Sequence, residues 1–283
     1  MPENIRDIQG KLPTPAQGRK MPSANDLVDI ARTAAEQAGA YLRSVVTPPD
    51  PTAWNAKGRA DWATEVDRNS EAIIAESLHG AMPGTPIVGE ELSPEIVTAG
   101  LVWIVDPLDG TTNFLHNFPA FAVSIAAAVD GILQAGVVLH VPLNRLSQAT
   151  RDGGAWENGN RLSVSRITDP AHSLIGTGVP FKDFSRFDEY LAQLGRITRG
   201  ATGVRRPGSA SLDLTDVAAG RYDGFWEQRL APWDVAAGTL LVREAGGLVT
   251  DYSGRDIGIE HGEIAAGNPA IHRWLLEMLT PQP

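Results

Sequence analysis

The stretch that decides the fold and the site of this chain is residues 101–113, LVWIVDPLDGTTN. Its first five residues are apolar and predict a buried strand, and two carboxylates, Asp106 and Asp109, follow that strand. Pro107 favours a turn between them, and Gly110 allows a backbone conformation or a close approach that other residues resist. Carboxylates bind hard divalent cations, and the N–H groups of a turn bind anions. A plain Asp-rich turn would also give such a motif, but further acidic residues favour metal-assisted phosphate hydrolysis.

These other acidic residues lie at the ends of predicted elements. Glu90 and Glu91 follow a short apolar strand, and Asp67 lies in the first turn of a predicted helix. Asp234 opens another predicted helix, where a negative charge alone can stabilise the helix by about 0.3–1 kcal/mol. Each residue therefore has a structural explanation by itself. Their joint occurrence with the Asp106 motif favours one functional cluster.

Composition sets the class of protein. The 283 residues are 42% hydrophobic and 20% charged, which is ordinary for a soluble globular protein. The net charge of −10 argues against direct binding of nucleic acid, which usually requires a basic surface. The absence of cysteine excludes disulfides, thiolate metal sites and cysteine nucleophiles. No apolar run reaches the roughly 18–20 residues of a membrane-spanning helix, so we expect a cytoplasmic protein without a membrane partner.

Prolines, turns and apolar periods divide the chain into an extension and two predicted subdomains. Residues 1–23 contain four prolines and almost no large apolar residues, and we expect a flexible N-terminal extension without a catalytic role. Apolar residues at spacings of three and four predict a helix over 24–46, and Asp130-Gly131 between two apolar runs predicts a hairpin. Glycine-containing turns then mark a boundary. It separates an N-terminal α+β subdomain, 24–150, from a C-terminal α/β subdomain, 151–283.

Several motifs resemble those of the inositol monophosphatase family. Residues 106–113, DPLDGTTN, resemble its D-P-[IL]-D-G-T-T-N signature, and GEE at 89–91 is similar to its upstream G-E-E. WDVAAG at 233–238, followed by EAGG at 244–247, resembles the second signature of the family. The order and the spacing of the motifs agree as well. The resemblance covers about residues 24–280.

The resemblance implies a fold, cofactors and a state of assembly. The fold would be of the α/β (α+β) class, a layered α-β-α-β-α sandwich of the inositol monophosphatase and fructose-1,6-bisphosphatase type. Hydrophobic periodicity alone supports only a mixture of helices and strands. The resemblance further implies two or three magnesium ions, sensitivity to lithium, a small phosphate ester as substrate and a homodimer.

The resemblance also assigns the metal ligands residue by residue. Glu90, Asp106 and the backbone carbonyl of Leu108 match the ligands of the first magnesium. Asp106, Asp109 and Asp234 match those of the second. Most of these ligands lie in the predicted N-terminal subdomain, and Asp234 lies in the C-terminal one. Oxygen ligands of this kind suit magnesium, and none of the six histidines lies in these motifs.

The remaining assignments concern the phosphate, the water and the alcohol. By resemblance, the N–H groups of Gly110 and Thr111 would hold the phosphate, and Thr111 with Asp67 would polarise the attacking water. Glu227 would contact a hydroxyl of the substrate. Other residues would line the alcohol pocket or its metal entrance: Gly208, Ser209, Ala210 and Lys57.

The identity of the substrate stays open at this point. Inositol monophosphate or a similar polyol or sugar phosphate is the leading expectation, and Thr112 weakly favours that branch of the family. Ala231 stands where several relatives carry a substrate-contacting histidine. Histidinol phosphate, fructose 1,6-bisphosphate and adenosine 3′,5′-bisphosphate are the alternatives within the superfamily. Arg205 and Arg206 could contact a second phosphate, although a solvated pair is favoured. An alternative of another class is a regulatory protein that binds the transcription machinery.

Overall fold

The described part of the chain contains seven α-helices. This computed structural model describes residues 21–45, 47–58, 61–91, 95–258 and 262–280. The predicted extension therefore lies outside the described residues, apart from its last three positions. The helices are α1 Ala24–Ser44, α2 Glu65–Ala81, α3 Thr111–Leu115, α4 Phe187–Gly200, α5 Ala210–Ala218, α6 Pro232–Glu244 and α7 Pro269–Leu279. None of them is long and apolar enough to cross a membrane.

The strands form two large sheets and a small hairpin. The described strands are β1 Asn55–Gly58, β2 Asp61–Ala63, β3 Ile87–Gly89, β4 Leu101–Asp109, β5 Ala122–Val129, β6 Ile132–His140, β7 Arg145–Thr150, β8 Gly154–Glu157, β9 Asn160–Arg161, β10 Leu174–Thr177, β11 Gly203–Arg205, β12 Gly224–Gln228, β13 Leu248–Thr250 and β14 Glu263–Gly267. The larger sheet has seven strands in the order β3-β4-β5-β6-β7-β8-β9, and the smaller has five in the order β11-β10-β12-β14-β13. The predicted hairpin joins β5 to β6, with φ of 50° at Asp130 and 78° at Gly131.

Successive side chains of a strand point to opposite faces of its sheet, so each large sheet packs against helices on both faces. In β4, Trp103 and Val105 pack against α1 and α2, whereas Val102 and Ile104 pack on the opposite side against α6. Neighbouring residues of β12 divide in the same way. Phe225 joins the core around α5 and α6, and the next residue packs against α4 and α7. The order of layers is therefore α-β-α-β-α, and the predicted fold class is confirmed.

Two features differ from the sequence-based expectation. The strand predicted to end before Asp106 continues to Asp109, and the expected turn at Pro107 is instead a bulge in the register with β5. Proline has no N–H to donate to the neighbouring strand, so it is tolerated at such an irregularity. The glycine-containing turns after residue 150 join further short strands, and the larger sheet continues to Arg161. A division into subdomains at residue 150 stays a proposal.

Candidate active site

Three aspartates from distant parts of the chain meet at the end of the larger sheet. Asp106 and Asp109 belong to β4, and Asp234 lies in the first turn of α6, which packs on β4 and β5. One carboxylate oxygen from each lies within 4.8 Å of those of the other two. Parallel pairing of β3 with β4 sets Gly89 beside Val105, so Glu90 follows next to Asp106. The topology thus gathers four of the predicted ligands.

The electrostatics of this cluster favour a bound cation. Burial raises the pKa of Asp106 and Asp234 well above the ordinary value, and repulsion from Glu90 and Asp109 raises both further. Burial also raises the pKa of Asp109, although hydrogen bonds from neighbouring serines oppose the shift. Clustered carboxylates out of contact with water are costly unless a positive charge accompanies them. The donor set consists only of oxygen atoms, so it fits a hard divalent cation.

The turn that follows β4 is built to place backbone N–H groups at the cavity. Gly110 has φ of 94° and ψ of 37°, and it precedes the first residue of α3. A Cβ atom there would lie 2.9 Å from the carbonyl oxygen of Ala120, so only glycine fits without a shift of the backbone. The first N–H groups of a helix have no partner inside the helix. Gly110, Thr111 and Thr112 line the cavity, where such groups suit an anion.

A hydrogen bond joins the proposed water-polarising pair. The Thr111 hydroxyl lies 2.9 Å from Oδ1 of Asp67 and 3.1 Å from the carbonyl oxygen of Leu108. The other oxygen of Asp67 accepts hydrogen bonds from the N–H and the hydroxyl of Thr64, at 2.7 and 2.6 Å. Asp67 therefore caps α2 and faces Thr111 at the same time. Its fixed orientation follows from the capping box that begins this helix.

Lys57 contacts the carboxylates directly. Its Nζ atom lies 3.1 Å from Glu90 Oε1 and also bonds to Glu91. Burial alone would lower the pKa of Lys57, but Glu90 and Glu91 outweigh that effect and raise the pKa. Burial raises the pKa of Glu91 to about 7, despite the bond from Lys57. The strand β1 thus brings one positive charge to the acidic end of the site.

The predicted residues surround one cavity of about 290 Å³. It is lined by all of the predicted site residues except Asp67 and Lys57. Those two residues contact the lining through Thr111 and Glu90. The structure therefore brings the whole predicted set together. The role of each residue remains a proposal.

Comparison with known proteins identifies the family. The sequence profile of the inositol monophosphatase family matches residues 24–282. The chain belongs to this family. Nus factor SuhB of Pseudomonas aeruginosa is 44% identical over 260 residues, which cover 90% of this chain and 96% of that protein. Inositol-1-monophosphatase of Rhizobium meliloti is 46% identical over 224 residues, which cover 79% of this chain and 84% of that protein.

A solved structure shows the same fold. The crystal structure of extragenic suppressor protein suhB from Bartonella henselae superposes with a TM-score of 0.84 at 40% identity, and covers 91% of this chain and 100% of that chain. With the family profile, this likeness makes the chain a phosphatase of the inositol monophosphatase family. Its aspartate cluster is compatible with metal binding.

The cavity of this chain is also lined by β12 and by two loops, around Phe181 and Gly208. Glu227 is half-buried on β12, and a side chain at Gly178 would overlap its carboxylate. Burial raises the pKa of Glu227 to about 8, and the charge of Arg206 opposes the shift. Arg206 is exposed, as a solvated residue would be, but it also lines the cavity and lies over Phe181 at 4.9 Å from the ring centre.

Two residues of the site carry contacts that sequence reasoning did not assign. Asn113, at the end of the decisive stretch, places its amide nitrogen 2.6 Å from the Ala120 carbonyl and 2.9 Å from that of Pro207. Ser211 bonds to Asp109 through its backbone N–H and its hydroxyl. The bond from Asn113 to Pro207 and the bonds from Ser211 to Asp109 each join residues about a hundred positions apart in the chain. The motif at 106–113 and the predicted pocket residues 208–210 place Asn113 and Ser211 near the site. No spacing in the sequence identifies the groups to which they bond.

Proposed function

We propose that this chain is a magnesium-dependent phosphomonoesterase that hydrolyses inositol monophosphate or a similar polyol phosphate. The proposal rests above all on the cluster of Asp106, Asp109 and Asp234, whose ligand oxygens lie within 4.8 Å of one another. Magnesium prefers such hard oxygen ligands. The relative from Rhizobium meliloti that carries the name inositol-1-monophosphatase supports the choice of substrate.

The residues divide into ligands and groups that act on the ester. Glu90, Asp106 and the Leu108 carbonyl would hold one magnesium ion, and Asp106, Asp109 and Asp234 a second. When bound, such ions supply positive charge to the phosphoryl oxygens and lower the pKa of a water molecule. This supply of charge explains how a protein with a net charge of −10 can bind a phosphate ester.

The chain itself positions the phosphate and the water. The N–H groups of Gly110 and Thr111 would donate hydrogen bonds to phosphoryl oxygens at the start of α3. The Thr111 hydroxyl donates to Asp67, so its oxygen lone pairs are free to accept a hydrogen bond from the attacking water. As this water gives a proton to the Thr111 oxygen, Thr111 would pass its own hydroxyl proton to Asp67, which is the final proton acceptor. The alcohol would lie against the loop at Gly208 and against Glu227.

Activity measurements test this proposal directly. Chelator-treated protein should be inactive toward inositol monophosphate and should recover with magnesium. Asp106→Asn should lose at least about two to three orders of magnitude in rate, the scale of removing a main electrostatic stabiliser. Asp29→Asn, at an exposed position of α1, is the matched control and should keep full activity. Full turnover without a divalent ion, or a near-normal rate for Asp106→Asn, would refute the proposal.

A second candidate function is a role in transcription. Relatives from several bacteria that are 41–44% identical to this chain carry the name Nus factor SuhB. Such a role would use a surface that need not include the carboxylates. Asp106→Asn separates the two functions, because it should abolish hydrolysis and leave binding to the transcription machinery intact. Loss of both would tie the second function to the active site.

A further inference from the structure

The carboxylate of Asp109 accepts hydrogen bonds from residues at the beginning of α5. Its Oδ2 atom accepts hydrogen bonds from the Ser209 hydroxyl at 2.6 Å, the Ser211 N–H at 2.8 Å and the Ser211 hydroxyl at 2.6 Å. Ser209 and Ser211 are both buried. These bonds connect the end of β4 to the first turn of a helix that lies a hundred positions later in the chain.

The bonds determine which oxygen of Asp109 can reach a cation. An ionised carboxylate offers about four lone-pair positions, two on each oxygen. Oδ2 accepts three bonds from Ser209 and Ser211, one more than its two lone-pair positions, so we take Oδ1 as the oxygen available to the metal cluster. Asp109 is thereby limited to one ligand atom, and its side chain cannot rotate without losing these bonds. Partners of this kind orient a ligand before the metal arrives.

Ser211 acts only through Asp109, which distinguishes it from Ser209. Ser209 lines the cavity and belongs to the predicted alcohol pocket, whereas Ser211 does not line the cavity. Ser211 is fully buried, and its carbonyl accepts a hydrogen bond from the Thr215 hydroxyl at 2.8 Å. A change at Ser211 should therefore leave contacts with the alcohol in place.

We propose that Ser211 is a positioning residue for the second metal site. Its hydroxyl and N–H hold Asp109 so that Oδ1 faces Asp106 and Asp234. This inference rests on the proposed function, which makes Asp109 a magnesium ligand. Removal of such a partner typically weakens metal binding by about 10–100-fold. We expect the lower end of that range, because the backbone N–H of residue 211 and the Ser209 hydroxyl remain.

Calorimetric titration with Mg²⁺, without and with inorganic phosphate, tests the inference on the full chain. In Ser211→Ala, the Kd of Mg²⁺ should rise by about ten-fold. Ser211→Thr keeps the hydroxyl and should stay near the wild type. Thr215→Val removes a buried hydroxyl from the same helix that does not reach Asp109, so its Kd should be unchanged. Thermal unfolding of each metal-free variant verifies that it is folded.

Kinetics provide the second measurement. Ser211→Ala should need more magnesium for half-maximal rate, while its KM for the ester at saturating magnesium stays that of the wild type. A wild type that binds no Mg²⁺ would overturn the proposed function itself. A wild type that binds Mg²⁺ with the same Kd as Ser211→Ala would overturn only the role of Ser211. Equal weakening in Thr215→Val would also overturn it, since the effect would then come from α5 in general.

Discussion

Replacement of Glu227 by glutamine tests the electrostatics of the pocket through stability. Burial raises the pKa of this carboxyl from 4.5 to about 8. The unfolded chain therefore loses the proton near pH 4.5, whereas the folded metal-free protein keeps it until about pH 8. Folding at pH 7 must bind a proton, and stability falls as the pH rises between these two values. At about 1.4 kcal/mol per pKa unit, the cost at pH 7 is up to about 3 kcal/mol, and glutamine avoids it.

Urea unfolding of the metal-free protein measures this difference. Glu227→Gln should be more stable than the wild type at pH 7, and the gain should shrink toward about pH 5 and reach its full size above about pH 8. Glu76→Gln is the matched control, because Glu76 is exposed on α2, and it should show no such gain. Equal stability of Glu227→Gln and wild type at all pH values would refute the inference that burial keeps Glu227 protonated.

The same variant tests the contact with the substrate. A neutral hydrogen bond is worth about 0.5–1.5 kcal/mol, so Glu227→Gln should lower kcat/KM for inositol monophosphate by roughly two- to ten-fold at pH 7. At pH values where the wild-type group is charged, the loss should grow to about ten- to a hundred-fold. p-Nitrophenyl phosphate has no such hydroxyl and should be affected much less. Equal losses for both esters would show that Glu227 only supports the turn before Asp234.

Further predictions concern the metals, the lysine, the loop contact and the assembly. Lithium should inhibit uncompetitively by replacing the second magnesium, and an unchanged rate at high lithium and optimal magnesium would contradict that site. Lys57 pairs with Glu90, so it would compete with magnesium for that carboxylate. Lys57→Met should therefore tighten Mg²⁺ binding about five-fold in calorimetry, since a partly exposed charge pair is worth roughly 1 kcal/mol. Weaker binding would contradict this competition. Asn113→Ala should lose about 1–3 kcal/mol in urea unfolding, because it removes the hydrogen bonds to Ala120 and Pro207, at about 0.5–1.5 kcal/mol each. Unchanged stability would refute the contact. Light scattering should show a homodimer, and a monomer would refute that expectation.

The strongest periodic patterns predicted individual helices and strands, the layered fold was implied by the family resemblance, and the shortest strands escaped prediction. The Asp130-Gly131 turn lies between two long apolar runs, so both strands and their pairing could be predicted. The strands from β8 to β11 have only two to four residues, too few to show a period. β12 begins at Gly224, directly after Asp223. The Asp223 carboxylate accepts bonds from Ser165 and from the Leu174 N–H, which no local pattern reveals.

Prediction of the site followed the same division. Acidic residues next to apolar runs predicted the carboxylate cluster, because this fold brings the ends of β3 and β4 and the start of α6 to one edge of the larger sheet. The contacts of Asn113 and Ser211 depend on how the segment from Pro207 into α5 lies beside α3 and the end of β4. That arrangement follows from packing in the central layer, where Leu212 and Leu214 of α5 join the core. Sequence spacing carries no information about it.

The aspartates of the site share one arrangement, in which one carboxylate oxygen accepts hydrogen bonds from neighbouring parts of the fold. Asp106 accepts a bond from the Leu108 N–H at 3.0 Å, and Asp234 accepts one from the Ala231 N–H at 2.5 Å. Asp67 caps α2 and Asp109 receives the donors of α5 through one oxygen each. Such bonds fix the side chains before a cation binds, so little conformational entropy remains to be lost on binding.

This design also explains why the cluster can be both buried and acidic. The hydrogen bonds stabilise the ionised forms of the carboxyls, while burial raises the pKa of Asp106, Asp109 and Asp234 and repulsion raises the pKa of Asp106 and Asp234 further. Proximity of these carboxyls therefore opposes their ionisation in the metal-free fold, and a bound divalent cation would relieve that repulsion. A ligand that binds only the folded state stabilises it in proportion to its affinity. The free energy that opposes folding without the metal thus reappears as affinity for the metal, and the fold and the cation stabilise each other.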